Sequence, residues 1–333
     1  MSGTGVARQR QFDPSASGEP APHGFLSVLD FSPERLETLL ALAARLKRER
    51  ALGPCAPTAT ALAGRHVALL FDKPSLRTRT TFEVAIHELG AHALMLPADV
   101  TSGGREPLAD VARNLERWVH AVVIRTFAHQ IVESFAAAAP SLAVVNALTD
   151  REHPCQVLAD YLALQEHVGT LSGRTLAYVG DGNNVATSLV HAGAMLGVNV
   201  HLASPKGYQL PGEVVEQARR VARHGASIRQ FLDPESAVSG AAAVYTDVWT
   251  SMGQEREADE RRRIFAPYRV DAALMERAGR GAKFMHCLPA HHEEEATTEV
   301  FESPASIVFD QAENRLHTQK ALLLTLLAPR FAS

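Results

Sequence analysis

The chain has 333 residues, 46% apolar and 21% charged, an ordinary globular balance with enough material for two domains of typical size. Its 33 Lys and Arg stand against 37 Asp and Glu, and the net charge of −4 argues against a broad nucleic-acid face. Cys55, Cys155 and Cys287 are scattered with no paired CxxC, so neither a disulfide framework nor a structural zinc site is indicated.

Residues 1–23 are rich in Gly, Ser, Ala and Pro and lack the apolar centre of a secretory signal, so a mobile arm is expected. No apolar run approaches the roughly 20 residues of a membrane span, and a soluble cytoplasmic protein with no membrane partner follows as an expectation. An amphipathic pattern predicts a helix over 32–50. An apolar run predicts a strand over 66–71, followed by Asp72-Lys73-Pro74-Ser75-Leu76-Arg77-Thr78-Arg79 and then an amphipathic segment over 80–89. Further strands are predicted at 92–96, 121–125 and 142–146, with a helix at 108–118. Strands at 175–179, 199–203, 227–231, 242–246, 283–287 and 306–309 follow, with helices at 156–167, 186–196 and 211–224. The stretch 319–327 reads as a buried terminal helix packing back across a domain junction. Such alternation predicts an α/β class with two domains, each a mainly parallel sheet flanked by helices, and an active site in the cleft between them. The expected units are an arm over 1–23, a domain over 24–155 joined by a returning helix at about 316–331, and a domain over 156–315.

The unusual residues cluster where strands end, which is where open parallel sheets bind ligands. Basic and hydroxyl side chains crowd residues 72–79 in a chain that is not basic overall. A helix start offers unpaired N–H groups and a partial positive charge, and guanidiniums add forked donors, a combination suited to a phosphate dianion. Gly180-Asp181-Gly182 lacks the third glycine of the dinucleotide fingerprint, because position 185 is Val185, so a nicotinamide or flavin site is not expected. Asn183 and Asn184 add amide donors and acceptors suited to an amino-acid head group. His153 and Gln156, in His153-Pro154-Cys155-Gln156, are a donor and an amide able to flank a carbonyl. Arg125 alone reads as a surface charge, and Cys287 alone as a small buried hydrophobe.

Together these segments resemble the ornithine carbamoyltransferases, from about residue 26 to residue 327. The family's phosphate-binding Ser-x-Arg-Thr-Arg is matched by Ser75-Leu76-Arg77-Thr78-Arg79, its arginine-threonine pair by Arg125-Thr126, and its His-Pro-x-Gln by residues 153–156. Asp181-Gly182-Asn183-Asn184, Asp247-Val248-Trp249 with Ser251-Met252-Gly253, His286-Cys287-Leu288-Pro289 and Glu313-Asn314-Arg315-Leu316-His317 match the remaining signatures. The resemblance implies that the first domain binds carbamoyl phosphate and the second L-ornithine, with no metal and no cofactor. It places Ser75, Leu76 (through its N–H), Arg77, Thr78, Arg125 and Arg315 on the phosphate. Arg125, His153, Gln156, Cys287 and Leu288 fall around the carbamoyl group. Asn184, Asp247, Ser251 and Met252 fall on the amino acid, with Arg125, His153, Asp247 and Cys287 as the catalytic set. It also implies a homotrimer with sites shared between subunits, and citrulline formation for arginine biosynthesis.

Leu76 stands where the family commonly has Thr, Thr101 where it has Gln, and His292 where it has Arg; these affect contacts rather than the reaction. The rival readings are carbamoyl transfer to an N-acylated ornithine, putrescine or aspartate, and a non-catalytic paralogue. Unblocked ornithine is favoured because Ser251-Met252-Gly253 and His286-Cys287-Leu288-Pro289 would bracket its free ends, and the paralogue is disfavoured because every charged catalytic group is present.

Overall fold

The computed structural model describes residues 23–73, 75–100, 106–250 and 255–332. Nearly all of the expected N-terminal arm, together with Pro74, Thr101, Ser251 and Met252, lies outside them. Among the described residues ten strands form two five-stranded parallel sheets. The first contains β1 (Gly24–Phe25), β2 (His66–Phe71), β3 (His92–Met95), β4 (Ala121–Arg125) and β5 (Ala143–Leu148), in the order β1-β5-β4-β2-β3. The second contains β6 (Thr175–Val179), β7 (Asn199–Ala203), β8 (Ile228–Phe231), β9 (Ala243–Thr246) and β10 (Lys283–His286), in the order β10-β9-β6-β7-β8.

The helices of the first half are α1 (Pro33–Glu49), α2 (Leu76–Glu88), α3 (Leu108–Trp118), α4 (His129–Ala138) and α5 (Pro154–Val168). Those of the second half are α6 (Asn184–Met195), α7 (Gly212–Val221), α8 (Pro234–Val238), α9 (Ala258–Phe265), α10 (Ala272–Arg277), α11 (Thr298–Phe301) and α12 (Val308–Leu327). Central strands such as Val67-Ala68-Leu69-Leu70 and Val122-Val123-Ile124 are fully buried, as continuous apolar runs in parallel sheets covered on both faces must be. One apolar cluster runs from α1 and β2 through α5 and α12 to β6 and α6, so the two sheets share a core across the helices between them.

Three expectations are corrected. Residues 306–309 are not a strand: Ser306 makes a single parallel bridge to Phe284, and the chain then enters α12 at Val308. A four-residue apolar run cannot be told from a buried helix start by periodicity, and here the helix wins because its apolar face packs on α1, α2 and α5. For the same reason the closing helix begins well before residue 316 and ends at Leu327. The basic segment, in turn, is not a loop ahead of a helix beginning near residue 80. Ser75 is the N-cap of α2, its Oγ accepting from Thr78 N at 3.2 Å, so residues 76–79 form the first helical turn.

In each sheet the chain reverses its direction of travel once. β2 leads outward to β3 while β4 and β5 lie on its other side; β6 leads outward to β7 and β8 while β9 and β10 lie on its other side. The crevices at the carboxyl ends of β2 and β4, and of β6 and β9, are therefore topological switch points, where parallel sheets leave room for a ligand.

Candidate active site

At the first switch point Phe71 is in register with Arg125. Asp72 N donates to Arg125 O at 2.9 Å, and Thr126 Oγ1 donates to Asp72 Oδ2 at 2.6 Å, which ties the two strand ends together. The charges of the basic segment then part company. Arg79 pairs with Glu83 at 3.1 Å on the exposed face of α2, and the Lys73 ammonium lies 3.7 Å from the Phe127 ring centroid. Arg77 is the cation of this turn whose charge bears on Arg125, His153 and Arg315.

Arg125 is 8% exposed, and its Nε has no hydrogen-bond partner among the described residues. Burial, with Arg315 and Arg77 next in importance, draws its pKa down to about 10. Arg315 is 2% exposed; its Nη1 donates to Gln156 Oε1 at 2.5 Å and its Nη2 to Thr78 Oγ1 at 2.7 Å. Among the described residues no ion pair joins Arg77, Arg125 or Arg315 to a carboxylate. His153 opens α5 with Pro154 at the first helical position, and its N donates to Ser188 Oγ at 3.0 Å. Burial and the same three arginines hold the His153 ring well below the ordinary imidazole range, so at neutral pH it is uncharged. Three guanidiniums whose charges bear on a neutral histidine at a helix N-terminus make an arrangement able to hold an anion, with one hydrogen-bonding ring beside it.

At the second switch point Asn183 caps α6, its Oδ1 accepting from Val185 N at 2.9 Å and Ala186 N at 3.1 Å. Its Nδ2 donates to Asp247 Oδ2 at 2.7 Å, while Asp247 Oδ1 accepts from Val248 N at 2.8 Å and from Cys287 Sγ at 3.0 Å. Burial and the Asp247 carboxylate push the Cys287 thiol well above its usual range, so it is a neutral donor rather than a thiolate. The next residue, Leu288, has a positive φ of 58°, and its N donates to His286 Nδ1 at 2.8 Å. Since Nδ1 accepts, His286 carries its proton on Nε2, which faces Glu295 Oε1 at 3.1 Å. Asp247, His286 and Cys287 bring their ligand atoms within 4.8 Å of one another, a donor set of metal-holding type, but here each is engaged by these protein contacts.

The structure thus brings Ser75, Arg77, Thr78, Arg125, His153, Gln156 and Arg315 together at one switch point, and Asp247, Cys287 and Leu288 at the other. Leu76 is 75% exposed, consistent with a backbone rather than a side-chain role. Asn184 turns its Nδ2 onto Thr149 O at 2.6 Å, joining α6 to the segment that precedes His153. Sequence reasoning expected Asn183 to meet an amino-acid head group and passed over the role it has here, capping α6 and bonding Asp247, although an Asn directly before an apolar helix is an N-cap signal. It also passed over Arg261, which is buried, bonds Asp181, and donates from its Nε to Trp249 O at 2.5 Å. Asp160 was missed too; its signal was the four-residue spacing from Gln156, which puts both on one helix face.

Family models described as "Aspartate/ornithine carbamoyltransferase, carbamoyl-P binding domain" and "Aspartate/ornithine carbamoyltransferase, Asp/Orn binding domain" match residues 23–166 and 172–326. The chain is 52% identical to the ornithine carbamoyltransferase of Parasynechococcus marenigrum, over 91% of this chain and 93% of that one. It is 48% identical to that of Anoxybacillus flavithermus, over 91% and 96%. The solved structure of ornithine carbamoyltransferase from Pyrococcus furiosus superposes with a TM-score of 0.88 at 46% identity, over 92% of this chain and 97% of that one.

Proposed function

We infer the chemistry of this site from one premise: the chain belongs to the aspartate/ornithine carbamoyltransferase family. It transfers the carbamoyl group of carbamoyl phosphate to the side-chain amine of L-ornithine, giving L-citrulline and phosphate. The observation that carries the assignment of residues is the cluster of Arg77, Arg125 and Arg315, with no carboxylate ion pair among the described residues, within electrostatic reach of Cys287, which bonds Asp247.

In this reading the phosphate sits at the N-terminus of α2, held by the three guanidiniums, Ser75, Thr78 and the N–H of Leu76. His153, neutral, and Arg125 donate to the carbamoyl oxygen, where negative charge grows during attack. Gln156 meets the carbamoyl nitrogen. Ornithine lies at the second switch point with Asn184, Ser251 and Met252, its amine beside Asp247. The deprotonated side-chain nitrogen attacks the carbonyl carbon and gives up a further proton, the bond from that carbon to the phosphate oxygen breaks, and phosphate leaves with the electron pair and takes up that proton. The protonated state of Cys287 supports direct attack rather than a thiocarbamoyl intermediate, since a neutral thiol is a weak nucleophile. Holding both reactants in line contributes up to roughly 7–11 kcal/mol in favourable cases.

The assembly is read as a homotrimer with sites shared between neighbours. Its support is β3, an edge strand with all four side chains exposed, including Leu94 and Met95, which leads toward the segment carrying Thr101. Among the described residues no helix is long and apolar enough to cross a membrane. A cytoplasmic, biosynthetic role completes the reading. The test offers carbamoyl phosphate with ornithine, N-acetylornithine, succinylornithine, putrescine or aspartate in turn. Ornithine is expected to be carbamoylated fastest at matched concentration, and faster turnover of any other amine would overturn the substrate assignment.

A further inference from the structure

Asp160 lies one helical turn beyond Gln156 on α5 and is 1% exposed. Its Oδ1 accepts from Gln156 Nε2 at 2.8 Å and from Gln311 Nε2 at 2.9 Å, and its Oδ2 accepts from Tyr245 OH at 3.0 Å. These partners come from α5, α12 and β9, three pieces of chain that also carry Gln156, Arg315 and the approach to Asp247. A carboxylate only accepts hydrogen bonds and a guanidinium only donates them. Gln156 stands between one of each: Nε2 on Asp160, and Oε1 on Arg315 Nη1. Turning the amide over would set oxygen against the carboxylate and NH2 against the guanidinium, two repulsive contacts in a site from which water is excluded. Gln311 is fixed in the same way, with Nε2 on Asp160 and Oε1 accepting from His286 N at 3.0 Å, at the start of the Cys287-Leu288 segment.

We propose that Asp160 is a positioning residue that locks the Gln156 amide with its carbonyl oxygen on the side of the guanidinium cage, so that the site selects an acyl phosphate bearing NH2 over one bearing CH3. An oxygen fixed there accepts a hydrogen bond from the carbamoyl nitrogen. Acetyl phosphate, of closely similar shape and charge, presents a methyl group instead and leaves that oxygen without its substrate partner. The inference rests on the reading that Gln156 meets the carbamoyl group; what it adds is that the discrimination is set from a residue that touches no substrate.

The test uses the full-length enzyme and compares the KM for carbamoyl phosphate with the competitive inhibition constant of acetyl phosphate. Asp160→Asn keeps the shape but offers three converging donors an amide in place of a carboxylate, so the Gln156 amide is no longer held one way. The ratio of acetyl phosphate inhibition constant to carbamoyl phosphate KM is expected to fall by roughly tenfold or more, as when a site loses a fixed hydrogen-bonding partner. A merely structural role would weaken both ligands together and leave the ratio unchanged, which would overturn the proposal. Asp160→Ser, smaller than the residue it replaces, serves in its place if the Asn variant does not fold. Gln156→Ala separates the two layers. If it keeps the wild-type ratio, the reading of Gln156 itself fails; if it loses the ratio while Asp160→Asn keeps it, only the role given to Asp160 fails.

Discussion

Arg125→Met distinguishes an anion site from a structural cluster of charges, because the two make opposite statements about the ligand-free protein. The substitution keeps an unbranched apolar stem and removes the guanidinium. With its pKa drawn to about 10 by burial, Arg315 and Arg77, the charged side chain costs the empty site about 3 kcal/mol. The variant is therefore expected to be at least as stable as the parent without ligand, with a gain no larger than that figure. Phosphate acts in the opposite direction. At a concentration 100 times its Kd, a ligand stabilises the parent by about 2.7 kcal/mol. Loss of a charge-assisted contact worth about 1.5–3 kcal/mol reduces that increment to between about 0.3 and 1.3 kcal/mol at the same concentration. Urea unfolding with and without inorganic phosphate, at constant ionic strength, reads both quantities. A variant less stable than the parent in the absence of phosphate, yet showing the full phosphate increment, would refute the reasoning.

Three further outcomes are expected. Iodoacetamide at pH 8 should label exposed Cys55 well before Cys287, whose thiol is held protonated by burial and Asp247; equal labelling rates by peptide mass spectrometry would contradict this. Burial lowers the pKa of His153 and takes that of His317 to about 4, so below pH 6.5 the unfolded chain binds protons that the folded chain refuses. That histidine contribution to stability is fully present above pH 6.5 and lost as pH falls from there toward 4, while burial raises Asp160 and Asp181 to about 6 and works the opposite way in the same window. The stability of a His317→Asn variant minus that of the parent, from denaturant titrations, should therefore rise as pH falls from 6.5 to 4. Gly182→Ala would place a Cβ 2.5 Å from Leu210 N and 2.7 Å from Tyr208 O, both backbone atoms. Overpacking of this kind costs about 1–3 kcal/mol, and because the loop leads into Asn183 and Asn184 the KM for ornithine should rise more than that for carbamoyl phosphate.

The fold was legible wherever a strand or helix carried its own period or cap. Val67-Ala68-Leu69-Leu70 and Ala121-Val122-Val123-Ile124 could be read as buried strands from composition alone, and the helix expected over 156–167 opens two residues earlier at Pro154. Ile307-Val308-Phe309 failed because a short apolar run satisfies both periods, and only packing against α1, α2 and α5 decides between them. The same limit applies within the site. Arg77 and Arg79 are alike in sequence, yet one faces Arg125 and Arg315 while the other pairs with Glu83, a difference set by which side of α2 each occupies. For Asp160 only the spacing from Gln156 was legible. Its importance lies in what Gln156, Gln311 and Tyr245 do with it, and those partners are up to 151 positions away in the chain.

The most direct measurement is a crystal structure of the enzyme with a bisubstrate compound that joins a phosphonate to ornithine through its side-chain nitrogen. The phosphonate should lie at the first turn of α2, within hydrogen-bonding distance of Arg77, Arg125 and Arg315, with the linked nitrogen beside Asp247 and Cys287. A phosphonate bound elsewhere, with those three guanidiniums turned away from it, would contradict the account.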